Sequence, residues 1–152
     1  MKINFKKLIL IILGTIIVGS IFAIFTMNNS SYKDLVKPIN IKEIVFPIVW
    51  VILYILMSIS IYIISEEKYG DKTKSYIIYI VQLVMNSLWT LFFFGLKWYG
   101  FSAFWIFLLI VAVLIMIYDF LKINKVAGLL QIPYVLWLFF ALYLNISIAV
   151  LN

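Results

Sequence analysis

Five long apolar runs separated by short polar segments make up most of the chain. We expect membrane helices at about residues 8–27, 44–65, 76–95, 101–121 and 126–151. About 20 apolar residues, rising about 1.5 Å each, are enough to cross a hydrocarbon layer about 30 Å thick. The longest polar connection, residues 28–43, is too short to form a domain of its own. The pattern therefore predicts an all-α integral membrane protein, with one five-transmembrane-helix bundle spanning residues 1–152.

The third run, residues 76–95, carries no charge but contains two amides and an indole. Gln82, Asn86 and Trp89 are separated by four and three residues, so they share one helical face, with Phe93 one turn further on. Amides in a bilayer need hydrogen-bond partners, so this face should look into the protein. A hydrogen bond to a neighbouring helix would explain a single amide equally well. The alignment of three such groups favours a lined pocket.

The second run has a similar polar and aromatic face. Its members recur at steps of three or four residues: Pro47, Trp50, Tyr54 and Ser58. Proline is tolerated in the first turn of a helix, where its missing N–H has no helical partner. Trp50 could instead belong to the belt of aromatic residues at the membrane surface. Its position about two turns inside the helix favours a place in the protein interior.

The first run follows a lysine-rich start and therefore resembles a signal peptide in its charge pattern. The run is too long for a typical signal sequence and lacks a clear cleavage site, so we interpret it as a membrane helix. Thr15, Gly19 and Ala23 are four residues apart and form a stripe of small side chains. Such a stripe lets another helix approach closely, and we expect it to serve packing within the bundle.

The last two runs lead to three further expectations. The fourth is mostly aliphatic, so we expect it to be the helix most exposed to lipid. In its last turn, Asp119 precedes Lys122 by three residues, which favours a surface ion pair over a proton relay. Pro133 lies inside the fifth run, where it should kink the helix.

Composition narrows the possible functions. With 66% hydrophobic residues and a mean hydropathy of +1.18, the 152-residue chain is too apolar for a soluble domain. Cysteine and histidine are both absent, which removes thiolate chemistry, the commonest metal ligand and the commonest general base. We therefore assign no metal site, no cofactor and no catalytic residue. The sequence also lacks a phosphate-binding loop and a dinucleotide-binding turn.

Charge gives an orientation. The chain has a net charge of +6, which suits anionic lipid headgroups as well as an anionic ligand. Eight lysines lie before the first helix or in the second and fourth connections, against four in the first and third. The excess places the N-terminus in the cytoplasm and the C-terminus outside.

Several blocks of the sequence resemble the TspO/MBR family of tryptophan-rich sensory and translocator proteins. They are residues 127–134 with Trp137, Ala141, Leu144, Asn145 and Asn152; Tyr32, Leu35, Lys37 and Pro38; Phe46, Pro47, Trp50, Leu53 and Tyr54; and Gln82, Leu83, Asn86, Trp89, Phe92 and Phe93. The resemblance runs from about residue 32 to residue 152. It implies a five-helix membrane bundle, often a homodimer, with a pocket beneath the first loop.

By this resemblance, the pocket would bind porphyrins, and in some members sterols or isoquinoline-type ligands. The implied ligand-binding residues are Tyr32 in the lid and Trp50, Tyr54, Asn86, Trp89, Phe93, Trp137, Ala141 and Leu144 in the walls. Residues 39–43 depart from the proline-rich stretch common in the family, which puts the lid's shape in question. No Lys or Arg follows Tyr143 to complete a sterol-binding motif, which argues against a sterol role.

Three functions are compatible with these features. The first, which we favour, is a receptor, sensor or carrier in a bacterial cell membrane that binds porphyrins or other flat lipophilic molecules. The second is an enzyme that degrades protoporphyrin through Trp50 and Trp137, and the third is a protein that only packs in the membrane. The expected partners are membrane lipid, a lipophilic small molecule and a second copy of the chain, with no nucleic acid.

Overall fold

The computed structural model describes residues 2–26 and 32–152, and this part of the chain is an all-α bundle. Its helices are α1 (Phe5–Thr26), α2 (Val45–Glu66), α3 (Thr73–Thr90), α4 (Tyr99–Ile123), α5 (Lys125–Leu129) and α6 (Ile132–Leu151). A 3-10 turn covers Tyr32–Asp34, and a π-helical turn at Leu91–Gly95 continues α3. Residue 27 of the predicted first helix and residues 28–31 of the predicted lid lie outside the described residues.

Five segments among the described residues are long and apolar enough to cross a membrane. They are α1, α2, α3 with its π turn, α4, and α5 with α6. The predicted bundle of five transmembrane helices is confirmed, and the protein is an integral membrane protein. α1 packs against α2 and α3, while α4 lies between α3 and α6 and also contacts α5. α1 and α2 therefore lie next to each other on one side of the bundle.

α1, and not α4, is the helix most exposed to lipid. In the most apolar stretch of each helix, 11% of the residues of α1 are buried, against 44% for α4. The aliphatic composition of α4 was misleading because Leu, Ile and Val serve both a membrane-protein core and a lipid-facing surface. α4 is buried because α3 and α6 pack against it on both sides, and the composition of α4 does not show which helices are its neighbours.

The small-residue stripe of α1 packs inside the bundle, as predicted. Thr15 and Gly19 are buried. The Thr15 hydroxyl lies 2.6 Å from the hydroxyl of Tyr79 on α3, and the Gly19 carbonyl accepts a hydrogen bond of 2.9 Å from the Tyr54 hydroxyl on α2. These two contacts attach the otherwise exposed α1 to both of its neighbours.

The fifth span is broken ahead of Pro133 instead of being kinked at it. α5 ends at Leu129, two residues form a turn, and α6 begins at Ile132 with the proline in its first turn. A proline there removes no helical hydrogen bond, because the first N–H groups of a helix have no helical acceptor. Ser60 of α2 donates a 2.6 Å hydrogen bond to the Ala127 carbonyl near the break, which links the short helix to the bundle.

Asp119 pairs with a different lysine from the one predicted. Its carboxylate lies 3.7 Å from Lys74 Nζ and accepts a 2.5 Å hydrogen bond from the Ser75 hydroxyl, both at the start of α3. Lys122 instead lies over the ring of Tyr118, with its nitrogen 4.1 Å from the ring centroid. α3 and α4 are antiparallel neighbours, so the start of α3 lies beside the end of α4. Asp119 therefore pairs with Lys74 of the neighbouring helix instead of with Lys122 of its own helix.

Candidate functional site

A cavity of about 320 Å³ lies between α1, α2, the end of α3 and the segment that follows residue 31. We call it the main cavity. The residues that line it are Ile16, Gly19, Ser20, Ala23, Ile24, Tyr32, Glu43, Phe46, Pro47, Trp50, Val51, Tyr54, Trp89, Thr90 and Phe94. Its volume falls near the lower end of the range of about 300–1,000 Å³ that is usual for small-molecule sites.

The α2 wall includes Pro47, Trp50 and Tyr54 of the polar and aromatic face predicted from the sequence, whereas Ser58 of that face does not line the cavity. The rings of Trp50 and Tyr54 are stacked, with centroids 5.7 Å apart and planes at 28°, and Trp50 meets the edge of Tyr134 at 6.2 Å. The Tyr54 hydroxyl is occupied by its bond to the Gly19 carbonyl. A Cβ atom on Gly19 would stand 2.6 Å from the Tyr54 ring, so the close approach of α1 requires glycine there.

The α3 wall depends on the π turn at Leu91–Gly95. The Leu96 N–H bonds to the Leu91 carbonyl at 2.9 Å, five residues back, so the turn holds one residue more than an α-helical turn. Two consecutive rings within this turn take different positions. Phe93 stacks on Trp89 with centroids 5.3 Å apart, whereas Phe94 lies 6.3 Å from Tyr32 at the main cavity. Turns of this kind are frequent at functional sites.

Trp89 is held in place from α6. Its indole N–H donates a 2.9 Å hydrogen bond to Oδ1 of Asn145, and the Asn145 amide nitrogen donates a 2.8 Å bond to the Tyr99 carbonyl at the start of α4. One carboxamide therefore connects α3, α4 and α6. Because the indole N–H is already bonded, Trp89 offers the cavity the apolar surface of its ring.

Tyr32 covers the main cavity. The side chain is 6% exposed and packs edge-on against Phe46, with ring centroids 5.5 Å apart. Its buried hydroxyl has no hydrogen-bond partner among the described residues. Burial, and to a smaller extent the negative charge of Glu43, raise the pKa of the Tyr32 hydroxyl above its ordinary value. The group is therefore a neutral phenol at physiological pH, able to donate or accept a hydrogen bond.

The segment after Tyr32 is fastened to the end of α6. The Asn152 carboxamide accepts a 3.0 Å hydrogen bond from the Val36 N–H and donates one of 2.9 Å to the Val36 carbonyl. This pair of bonds resembles the exchange between two neighbouring β-strands. Within the segment itself, Lys37 Nζ donates a 2.6 Å hydrogen bond to the Tyr32 carbonyl.

We expect Tyr32→Phe to leave the thermal stability unchanged or to raise it slightly, by up to about 1 kcal/mol. The reason is that a buried hydroxyl without a partner costs free energy that phenylalanine does not incur. Melting in detergent, followed by circular dichroism, measures this. Tyr32→Leu is the control that also removes the ring contacts with Phe46 and Phe94, and it should lower the melting temperature. A clear loss of stability in Tyr32→Phe would show that the hydroxyl does have a partner.

A second, much smaller space lies on the α6 side of the same aromatic rings. Its volume of about 20 Å³ holds little more than one water molecule. It is lined by Tyr32, Phe46, Trp89, Phe93, Phe94, Ala141, Leu144, Asn145 and Ile148. Tyr32, Phe46, Trp89 and Phe94 also line the main cavity, so these four side chains separate the two spaces.

The nine predicted site residues fall into three groups. Those on the main cavity are Tyr32, Trp50, Tyr54 and Trp89, those on the small space are again Tyr32 and Trp89 with Phe93, Ala141 and Leu144, and those on neither are Asn86 and Trp137. Asn86 is buried beside the Tyr54 hydroxyl. Trp137 lies behind Phe46, with ring centroids 6.0 Å apart, and also contacts Phe140 at 5.4 Å. Trp137, which the resemblance implied as a wall residue, therefore lies behind the wall of the main cavity.

Sequence reasoning missed the contribution of α1. Ile16, Gly19, Ser20, Ala23 and Ile24 form one complete wall of the main cavity. The small-residue stripe was the available signal, because a helix that comes close to aromatic neighbours leaves its small positions facing them. Glu43 and Phe94 were also missed.

Within residues 2–26 and 32–152, no three Asp or Glu side chains lie close enough together to hold a metal ion. The cavity walls are apolar and aromatic, with polar atoms contributed by Tyr32, Tyr54, Ser20, Thr90 and Glu43. Such a site can bind a hydrophobic molecule by burial and stacking, and orient it through a few polar contacts.

Comparison with known proteins agrees with this architecture. The family model described as "TspO/MBR family" matches residues 8–151. The "Tryptophan-rich protein TspO" of Chlorobaculum tepidum is 33% identical over 140 residues, covering 89% of each chain. The protein of the same name from Archaeoglobus fulgidus is 32% identical, covering 98% of this chain and 99% of the relative. The "Tryptophan-rich sensory protein" of Cereibacter sphaeroides is 31% identical, covering 80% and 76%.

Proposed function

The chain belongs to the TspO/MBR family, and from that premise we propose that it is a membrane receptor or sensor that binds porphyrins and similar flat, lipophilic molecules inside its helix bundle. The name of the Cereibacter sphaeroides relative, a sensory protein, supports the role of a sensor. The observation that carries the proposal is the main cavity, whose aromatic walls suit a flat, apolar ligand.

The exposure of the cavity walls supports access from the bilayer. Ile24 on α1 is 69% exposed and Val51 on α2 is 45% exposed, and both line the main cavity. The boundary between α1 and α2 therefore faces lipid at the level of the cavity. A lipophilic ligand dissolved in the membrane reaches the cavity along this boundary without crossing water.

A tetrapyrrole would use both spaces. The main cavity is near the lower size limit for a ligand site, and only side chains separate it from the space beside Ala141 and Leu144. Rotation of Phe46 and Tyr32 joins the two spaces and brings the ligand to Trp137, which now lies behind Phe46. The predicted wall residues of α6 would then contact the larger ligand.

The remaining parts of the proposal concern the membrane setting. We assign residues 1–152 to one membrane domain in a bacterial cell membrane, with a cytoplasmic N-terminus, because the lysine excess favours that orientation. The mouth beneath Tyr32 then lies on the outer side. A homodimer, implied by the family resemblance, stays a prediction.

Trp50→Leu should weaken the binding of protoporphyrin by about 0.5–1.5 kcal/mol, because the ring stacked on Tyr54 at the cavity wall is lost. The measurement is a titration of the purified protein in the dark, following absorbance of the pigment. Trp98→Leu is the matched control, since this tryptophan is exposed in the connection between α3 and α4 and does not line the cavity. Equal affinities of the two variants would refute a porphyrin site in the main cavity.

The same titration under illumination tests the enzymatic alternative. Trp50 is the member of the Trp50–Trp137 pair that reaches the main cavity, which makes it the candidate for direct reaction with a bound pigment. Loss of pigment absorbance that requires light, oxygen and Trp50 would identify a degrading enzyme. Binding without loss of pigment supports the receptor.

A further inference from the structure

We propose that the main cavity binds lipophilic ammonium compounds, with the cationic nitrogen held between the Glu43 carboxylate and the aromatic rings at the cavity mouth. The cavity is the one of the proposed function, and the proposal rests on that function only in this respect. It follows from the charge, the rings and the unused hydroxyl that meet there.

The cavity lining contributes one negative charge, although the protein is basic and Lys33 and Lys37 lie nearby. Among the described residues that line the cavity, Glu43 is the one with a charged side chain. Its carboxylate lies 3.9 Å from Lys33 Nζ, but the two side chains are 43% and 81% exposed. Exposed pairs of this kind contribute little to stability, so a ligand cation can replace Lys33 at low cost.

The aromatic rings that line the cavity favour the same kind of ligand. Six aromatic side chains line the cavity: Tyr32, Phe46, Trp50, Tyr54, Trp89 and Phe94. The face of an aromatic ring attracts a cation within about 6 Å, and cages of several rings recognise quaternary ammonium groups. One ring already takes a cation, because Lys37 Nζ lies 4.4 Å from the centroid of Tyr32.

Two of the four hydroxyl groups in the cavity lining are bonded within the protein, which leaves those of Tyr32 and Thr90. The Tyr54 hydroxyl donates to the Gly19 carbonyl, and the Ser20 hydroxyl donates to the Ile16 carbonyl at 2.5 Å. The buried Tyr32 hydroxyl has no partner in the described part of the chain. Its oxygen is buried, so a protonated amine can donate a hydrogen bond to it only when the Tyr32 ring turns, and Glu43 supplies the first polar contact for a cation.

The test compares two probes of the same shape. Benzyltrimethylammonium and neopentylbenzene differ in carrying a charged nitrogen or a neutral carbon at the branch point. Binding of each to the whole protein is measured by isothermal titration calorimetry in an uncharged maltoside detergent. We expect Glu43→Gln to weaken ammonium binding about fivefold and to leave the neutral probe unchanged. Lys33→Gln should strengthen ammonium binding, because it removes the competing cation.

Asp34→Asn is the control variant. Asp34 is exposed at the same end of the protein, so its replacement removes the same charge without changing the cavity wall. Equal effects of Asp34→Asn and Glu43→Gln on ammonium binding would overturn the inference. The loss of any negative charge at this end of the protein would then explain both effects. If Glu43→Gln fails to fold, Lys33→Gln decides: unchanged or weaker ammonium binding contradicts the inference.

A parallel titration with protoporphyrin separates this inference from the proposed function. Protoporphyrin binding together with ammonium binding that does not depend on Glu43 would overturn the inference and leave the proposed function standing. Ammonium binding that depends on Glu43, without protoporphyrin binding, would support the inference and refute the porphyrin assignment. Failure of every probe to bind would overturn both.

Discussion

Gly19→Val is expected to destabilise the bundle by about 1–3 kcal/mol, the usual cost of extra volume in a close-packed interior. A Cβ atom at this position would stand 2.6 Å from the Tyr54 ring, which lies in the cavity wall beneath Trp50. Either α1 moves away from α2 or the Tyr54 ring turns. Both responses disturb the hydrogen bond to the Gly19 carbonyl and change the shape of the cavity. We therefore also expect at least a tenfold loss of protoporphyrin affinity, about 1.4 kcal/mol.

Gly14→Val is the matched control on the same helix. A Cβ atom at Gly14 meets nothing within 4 Å. The two variants share the change in side chain and in helix propensity, so their difference measures the contact with Tyr54. Thermal melting and protoporphyrin titration in one detergent give both quantities. Equal melting temperatures and equal protoporphyrin affinities of the two variants would contradict the close approach of α1 to α2.

Asn145→Leu should lower the stability by about 1–2 kcal/mol and weaken ligand binding as well. The substitution deletes two hydrogen bonds and leaves the buried indole N–H of Trp89 without its acceptor. Trp89 stands in the wall of both the main cavity and the small space, so a change in its orientation reaches the ligand. Melting curves and titrations on the variant measure the two effects.

A double-mutant cycle assigns the effect to the bond with Trp89. In a Trp89→Phe background the indole N–H is absent, so the additional cost of Asn145→Leu should be smaller than in the parent protein. Asn145→Asp retains an oxygen that can accept the indole N–H, and it should preserve ligand affinity better than Asn145→Leu. Strictly additive costs in the cycle would contradict a positioning role of Asn145.

The faces of α2 and α3 could be predicted from helical periodicity, whereas the places of Tyr32, Ala141 and Leu144 came from the family resemblance. Pro47, Trp50 and Tyr54 share a face because they are three and four residues apart, and that face lines the main cavity. Gln82 and Asn86 are buried, as amides in a bilayer should be. Gln82 finds its partner in the Tyr134 hydroxyl, which donates a 2.8 Å hydrogen bond to the amide oxygen. Periodicity fixes which side chains share a face whatever the neighbouring helices are.

The features that the sequence did not predict depend on which helices are neighbours. The contribution of α1, the link from Asn145 to Trp89 and the ion pair of Asp119 with Lys74 all join residues distant along the chain. The π turn is a further case, since residues 91–95 read as ordinary helix in the sequence and the extra residue shows only in the hydrogen bonds. Phe94 lies within this turn and lines the main cavity, although the sequence did not single it out.

The two hydrogen bonds between Asn152 and Val36 affect how the protein should be labelled. A tag or fluorescent protein joined directly after residue 152 would stand beside the segment that carries Tyr32 over the cavity. Ligand affinities measured with such a fusion would include the strain that it places on this segment. Asn4, by contrast, bonds through its N–H to the Tyr62 hydroxyl near the far end of α2. A label at that end of the bundle leaves the cover of the cavity undisturbed, so it is the better site for binding assays.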